Sequence, residues 1–297
     1  MLSICIPIYN LAVADLVRAL NQQRQQLRQS IQLILIDDGS NVHFCKKNQV
    51  LQTEVDDFIF LEKNIGRAAI RNRFLSIAKE EYLLFLDCDS SIIRSDFLKK
   101  YISYITDNQT FVLCGGNDYP TTAPEKTQQL RWYYSHAKES RTARSTQGNL
   151  TFMTNNFLIK KEILEKIKFD ESLTQYGHED TLLGYELKKN NIAIVHLDNP
   201  VMNDVLDSNE IFIEKTEKGL ENLAKISQKL NNENGFIAEV KILKFYFLLK
   251  KIKLTPLLSI SYWFFGKLFR NAFCKGNIRN LKLYDAYKLM YLHQSFI

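Results

Sequence analysis

Asp87 and Asp89 stand either side of Cys88, directly after Tyr82-Leu83-Leu84-Phe85-Leu86, a run too apolar to be left in water. A buried strand that ends this way delivers both carboxylates to one place. Hard oxygen donors at that spacing suit Mg2+ or Mn2+, which takes a few carboxylates and fills the rest of its shell with phosphate oxygens. A cation held there would neutralise a departing diphosphate. On its own an Asp-x-Asp pair is as well explained by a solvated turn, so its meaning depends on what the chain gathers beside it.

Four other places carry chemistry. Asp37-Asp38-Gly39-Ser40 closes the run Leu33-Ile34-Leu35-Ile36, and Asp38 there is positioned to recognise a base or ribose, although Asp, Gly and Ser are also ordinary turn formers. Tyr9 would stack on the base. Arg71, on a helix opened by Gly66, would reach the base or phosphates, whereas an isolated helix arginine is simply solvated. Tyr176-Gly177-His178-Glu179-Asp180 leads into Thr181-Leu182-Leu183-Gly184-Tyr185-Glu186-Leu187, placing two acids in the first turn of an amphipathic helix. They either complement the helix dipole, or Asp180 takes a proton from an acceptor hydroxyl while Glu179 orients the acceptor.

The elements that must position these groups follow from periodicity. Short β-branched runs at 3–8, 31–36, 58–61, 82–86 and 111–114 alternate with segments 11–27 and 67–78, whose apolar residues recur at three and four. That is the pattern of strand-helix units packed as a parallel sheet, which binds ligands beyond the carboxyl ends of its strands. Tyr9-Asn10, Asp37-Asp38-Gly39-Ser40, Asn64-Ile65-Gly66 and Asp87-Cys88-Asp89 all lie at such ends. Beyond Gly115-Gly116 the alternation fades, and 140–149 reads as a mobile loop. Periodicity returns at 152–159, in a helix over 180–188, a strand over 192–197 and a helix near 210–230. The polar, glycine-closed break 231–235 is the expected linker.

In this order the features resemble the family 2 glycosyltransferases. The stretches that carry the resemblance are SICIPIYN, ILIDDGS, the run from Asn64 to Asn72, YLLFLDCDS and GHEDTLLGYEL, which span residues 3 to about 190. The resemblance implies a GT-A, Rossmann-like α/β fold with a mostly parallel sheet flanked by helices. It also implies an inverting transfer from a nucleotide diphosphate sugar, with UDP favoured, to a saccharide or lipid-linked saccharide acceptor in bacterial surface polysaccharide or glycoconjugate synthesis. The donor-side residues then fall at Pro7, Tyr9, Asn10, Asp38, Arg71, Asp87 and Cys88. Tyr9, Asp38 and Arg71 enclose the uracil. Asp180 matches the catalytic base, with Glu179 beside it. Mn2+ or Mg2+ is held mainly by Asp89, with Asp87. Ile70 stands where alanine is usual. Many relatives also place a metal-binding histidine shortly after a segment like Asn199-Pro200-Val201. Here Asn203 stands in that place and offers a carbonyl oxygen, while His196, the nearest histidine, reads as a strand residue or an alternative ligand.

Composition narrows the remaining classes. A chain of 297 residues that is 45% hydrophobic and 12% aromatic buries a sizeable core, which excludes disorder as its main state. Five scattered cysteines, with no C-x-x-C pair, fit neither a disulfide framework nor a zinc site. A nucleotidyltransferase making a nucleotide sugar would need a glycine-rich basic loop after the first strand, and Pro7-Ile8-Tyr9-Asn10 is not one. A degenerate interaction subunit is the non-enzymatic alternative, and retention of Asp38, Asp89 and Asp180 argues against it. The net charge of +6 is uneven: residues 241–297 hold eleven Lys and Arg against Asp285 alone, so residues 1–240 carry −4. The same tail holds thirteen of the thirty-five aromatics. We expect a catalytic domain over 1–230 and a basic, aromatic helical extension over 236–297 that lies on a membrane surface or packs on the body or a second subunit. No nucleic-acid motif accompanies it. With no leader pattern at the first residues, the expected location is the cytoplasm, with peripheral attachment to the inner face of the cell membrane.

Overall fold

Alternation decides which way each residue of the first strand points. In the computed structural model, which describes residues 1–108, 111–140 and 152–297, strand β1 (Leu2–Ile8) sends Leu2, Ile4, Ile6 and Ile8 into one core and Cys5 into another. The first core is closed by helices α1 (Ala14–Arg24) and α4 (Phe97–Asp107), through Leu16, Val17, Leu20, Phe97, Leu98 and Tyr101. The second is closed by α3 (Arg67–Arg73), α6 (Lys161–Lys166) and α7 (Glu179–Lys189), through Ala68, Ile70, Ile163, Leu183 and Leu187. The sheet is therefore wound on both faces, which is why its strands read as continuous apolar runs. A short helix α2 (Val42–Gln49) follows the second strand.

Among the described residues seven strands form this sheet: β1, β2 (Ile31–Asp37), β3 (Asp57–Phe60), β4 (Tyr82–Leu86), β6 (Val112–Cys114), β8 (Asn156–Lys160) and β9 (Ile194–His196). Their order is β3-β2-β1-β4-β8-β6-β9. Only β8 runs against its neighbours, so β1 to β4 all end on one edge, as the sequence pattern requires. A second, three-stranded sheet, β5-β10-β7, joins Ser90–Ser91, Val201–Asn203 and Asn117–Asp118.

The elements are shorter than the periodic runs suggest. The run at 67–78 is an α-helix only to Arg73 and continues as a 3-10 turn, Phe74–Ser76. The run at 152–159 becomes strand only from Asn156, where pairing with β4 and β6 begins. Segment 140–149, expected to be a mobile loop, lies outside the described residues from 141 onward.

The chain divides into two compact units. One comprises Met1–Pro120, Glu139–Thr174 and Glu179–Val205, and the other Thr121–Lys138, Gln175–His178 and Leu206–Ile297. The longest stretch of the second unit thus begins at Leu206. The reason lies on α8 (Asn209–Lys229), which pairs with the tail helices α11 (Thr255–Cys274) and α12 (Leu281–Ser295). Glu217 accepts from Arg270 Nε at 3.0 Å and from Tyr287, Glu221 accepts from Tyr291 at 2.9 Å, and Tyr284 donates to Thr216 at 2.8 Å. The segment expected to be a linker turns instead through Asn231 and Asn232, both at positive φ (51° and 55°), into α9 (Asn234–Glu239) and then α10 (Lys241–Lys251).

A buried polar hub holds the second sheet in register with the first. Asn156 donates to the carbonyls of Gly116 at 2.8 Å and Asn199 at 2.9 Å, and accepts from Tyr101 at 2.7 Å. Asn199 in turn donates to Phe97 O at 2.9 Å. Gly115 is packed into this hub: a Cβ there would sit 2.1 Å from Tyr101 Oη and 2.7 Å from the Asn199 carbonyl. Neither atom is the free end of a flexible chain. Gly115→Ala should therefore cost about 3 kcal/mol, the upper part of the usual overpacking range. Thermal unfolding checks this, and a loss below about 1 kcal/mol would show that the hub can give way.

Candidate active site

The loop after β1 is tied to the loop after β2. Asn10, at φ 51°, donates from its backbone to Ser40 Oγ at 2.8 Å and accepts at its side chain from the Asn41 amide at 2.9 Å. Gly39 permits the next contact, because at φ 71° a Cβ would lie 2.5 Å from the Lys63 carbonyl carbon. The loop after β3 therefore lies against that after β2, and the Ile65 amide donates to Asp38 Oδ1 at 2.8 Å. Burial raises the Asp38 pKa, and the backbone N–H groups of Ile65 and Gly66 pull it part of the way back. Tyr9, beside this cradle, is 51% exposed and presents a free ring. Pro7, expected on the donor side, lies within β1, paired with Ile36.

Gly66 caps α3 at φ 90° and sets the direction of two arginines one turn apart. Arg71 is only 1% exposed. Its Nη2 donates to Asp87 Oδ1 at 2.8 Å, its Nη1 lies 3.8 Å from Glu179 Oε1, and its guanidinium carbon stands 5.7 Å from the Phe169 ring centre. Arg67 completes the link, donating from Nη2 to Asp87 Oδ2 at 3.1 Å and from Nε to Glu179 Oε1 at 2.7 Å. The carboxyl edge of β4 and the first turn of α7 are thus joined through two cations. Sequence reading placed Arg71 at the base or phosphates; in the structure it contacts Asp87 and Glu179, and its Nε is buried without a hydrogen-bond partner. That reading missed Arg67 altogether, although two arginines at i and i+4 on one helix, facing a chain with two separate acid pairs, are a legible signal.

These arginines separate the two acids of α7. Burial pushes Glu179 up, but Arg67 and Arg71 more than offset it and hold the carboxyl below its ordinary value. Asp180 is pushed up to about 6, first by burial and then by the adjacent Glu179 charge. Its Oδ1 accepts from the Thr181 amide at 2.7 Å and lies 3.3 Å from Thr181 Oγ1. One acid is fixed as a charge, and its neighbour is set to exchange a proton near neutral pH.

On the metal side, the structure divides Asp87 from Asp89. Asp87 contacts both arginines, and the expected cation donors are Asp89, Asp87 and Asn203. Cys88 stays a thiol, its pKa raised to about 12 by enclosure and then by the Asp89 charge, against a hydrogen bond with the Tyr9 backbone. Asn203 on β10 pairs directly with Ser90, the residue after Asp89, and its Oδ1 is buried without a hydrogen-bond partner. A buried carbonyl oxygen left without a partner is a donor that suits a hard cation. His196, the alternative, lies on β9 opposite Cys114, and its Nε2 is likewise buried without a hydrogen-bond partner. Among the described residues no three His, Cys, Asp or Glu side chains gather into a metal-holding cluster.

A doubly wound sheet with its acids gathered at the carboxyl edge, joined by a small second sheet and followed by a helical region, is the GT-A fold. The chain belongs to glycosyl transferase family 2, whose sequence profile matches residues 3–168. A Haemophilus influenzae protein named an uncharacterized glycosyltransferase is 34% identical over 39% of this chain and 46% of its own length. Pasteurella multocida chondroitin synthase is 26% identical over 63% of this chain, which spans only 23% of that enzyme. Among solved structures, Staphylococcus aureus TarS residues 1–349 in complex with UDP has a TM-score of 0.53 at 19% identity, covering 99% of this chain and 90% of that one. A Pyrobaculum calidifontis mannosyltransferase in complex with GDP-Man and Mn2+ has a TM-score of 0.63 at 13% identity, covering 98% and 85%. At these identities the structural likenesses establish the fold.

Proposed function

We propose that the chain transfers a sugar, with inversion, from a nucleotide diphosphate sugar to an acceptor hydroxyl, with Asp180 as the base. The observation that carries this reading is the divided acid pair of α7: Glu179 is clamped by Arg67 and Arg71, which also hold Asp87 at the donor edge. Donor and acceptor chemistry are thereby mechanically linked. UDP is the favoured nucleotide, enclosed by Tyr9, Asp38 and Arg71, a preference supported by a structural neighbour, TarS residues 1–349, in complex with UDP. GDP is the alternative, since another neighbour binds GDP-Man. The acceptor class, a saccharide or lipid-linked saccharide in bacterial surface glycoconjugate synthesis, is consistent with a polysaccharide synthase among the relatives.

Asp89, with Asp87 and Asn203, would hold Mn2+ or Mg2+. When bound, the cation supplies charge neutralisation to the diphosphate leaving group. The residues of the chain do the rest. Tyr9 covers the base, the loops fixed by Asn10 and Gly39 set its depth, Glu179 orients the acceptor, and Asp180 removes the hydroxyl proton as attack proceeds.

A panel of UDP- and GDP-sugars, assayed for hydrolysis and transfer with and without Mn2+, tests the reading. One donor should stand out and depend on the cation. Asp89→Asn should lower that activity by about 10²-fold or more and weaken calorimetric Mn2+ binding without changing the melting temperature. Equal nucleotide binding with and without metal by the parent protein would overturn the metal assignment.

A further inference from the structure

The structure divides the basic tail in a way its composition does not reveal. Helix α12 is a core helix, burying Tyr284, Tyr287, Leu289, Met290 and Leu292. Helix α11 contributes one face to that core through Leu258, Tyr262, Phe269 and Phe273. Its opposite face should be polar if water were its only neighbour. Instead Leu257, Ile260, Phe264 and Leu268, spaced by three, four and four, are all exposed, and Trp263 between them is 78% exposed. The preceding helix repeats the pattern: on α10 and just beyond it, Phe245, Leu248 and Ile252 are exposed while Leu243 and Tyr246 are buried.

Contiguous apolar surface of this kind marks a binding face, and the charge around it selects the partner. Lys241, Lys244, Lys250, Lys251, Lys253 and Lys267 are exposed on or between these two helices. From residue 241 to 284 there is no Asp or Glu at all. A second copy of the chain would bring the same uncompensated lysines against these. An anionic lipid surface complements them, accepts the aliphatic and aromatic side chains at the depth of its headgroups, and suits an exposed tryptophan. No helix among the described residues is long and apolar enough to cross a membrane, so the attachment this face provides is in the plane of the interface.

We infer that the outer faces of α10 and α11, centred on Trp263 and Phe264 and flanked by the lysines of 241–267, form a docking surface for anionic phospholipid. This is independent of which sugar the enzyme moves. The full chain should sediment with vesicles of equal parts phosphatidylglycerol and phosphatidylcholine, less so as salt rises, and far less with phosphatidylcholine alone. Trp263→Ser/Phe264→Ser should lower partitioning about ten-fold or more by removing inserted apolar surface. Lys250→Gln/Lys251→Gln/Lys253→Gln should lower it by about 10²-fold. Both variants should keep the parent's melting temperature and donor hydrolysis, since every altered side chain is exposed. The inference is overturned if the parent stays in the supernatant, if the apolar double variant sediments like the parent, or if the parent is a stable dimer in buffer that the double variant dissociates.

Discussion

Asp180→Asn should lower sugar transfer by about 10²–10⁴-fold while leaving nucleotide affinity almost unchanged. An acceptor hydroxyl is a weak nucleophile at neutral pH, and asparagine keeps the shape of the side chain and its acceptance of the Thr181 amide but cannot take a proton. Stability should not fall. The Asp180 carboxyl is raised to about 6 in the folded protein, above its ordinary value of 3.8. The folded state therefore binds this proton more tightly than the unfolded chain, and stability falls as pH rises between those values. At neutral pH the charge costs stability, so its removal should leave the variant melting no lower than the parent. The same shift predicts a rate that climbs as pH rises through about 6 and then levels off. Glu179→Gln should move that limb to lower pH, because the adjacent charge is one of the two causes of the shift. Transfer rate against pH, nucleotide affinity and melting temperature on these variants check the argument, and a near-normal rate for Asp180→Asn would remove Asp180 from the chemistry.

The carboxyl edge was legible because it rests on local rules. Each of the strands β1 to β4 is a buried apolar run stopped by polar turn residues, and parallel pairing places all those stops together. Hence Tyr9, Asp38 and Asp89 lie where their spacing indicates. What the sequence could not show is how the acids are shared out. Asp87 and Asp89 look equivalent two residues apart, and only the approach of α3 gives Asp87 to Arg67 and Arg71. Glu179 and Asp180 look equivalent as a helix-opening pair, and only the same two cations fix one and leave the other to titrate. The tail fails for a related reason. Periodicity finds its helices, but which face is buried depends on α8, 70 residues earlier in the chain, whose Glu217 and Glu221 capture the tyrosines of α12. The antiparallel strand β8 and the Asn156 hub likewise depend on partners distant in sequence, and no local pattern encodes them.

Arg71→Met should have the largest effect on stability, about 3–5 kcal/mol, against the 5–15 kcal/mol that typically separates a folded domain from its unfolded chain. Methionine fills much of the arginine's volume, so the loss isolates the charge. Arg71 has a side chain 2% exposed, facing carboxylates that are 19% and 7% exposed at Asp87 and Glu179. Screening by water is therefore slight. Arg67 remains, but its guanidinium is already divided between both acids and cannot compensate two buried charges alone. The penalty should fall mainly on Asp87, which loses its shorter contact. Removing that charge as well, in Arg71→Met/Asp87→Asn, should therefore recover a substantial part of the loss, a coupling that independent sites would not show. A purely apolar role for Arg71, packing its stem beneath Phe169, predicts the opposite: a small cost for methionine and no recovery in the double variant. Urea unfolding of the parent, both single variants and the double variant separates the two cases. A single-variant cost below about 1 kcal/mol would mean that the arginine clamp does not hold the donor edge to the acceptor helix, and the mechanical link between the two halves of the reaction would have to be sought elsewhere.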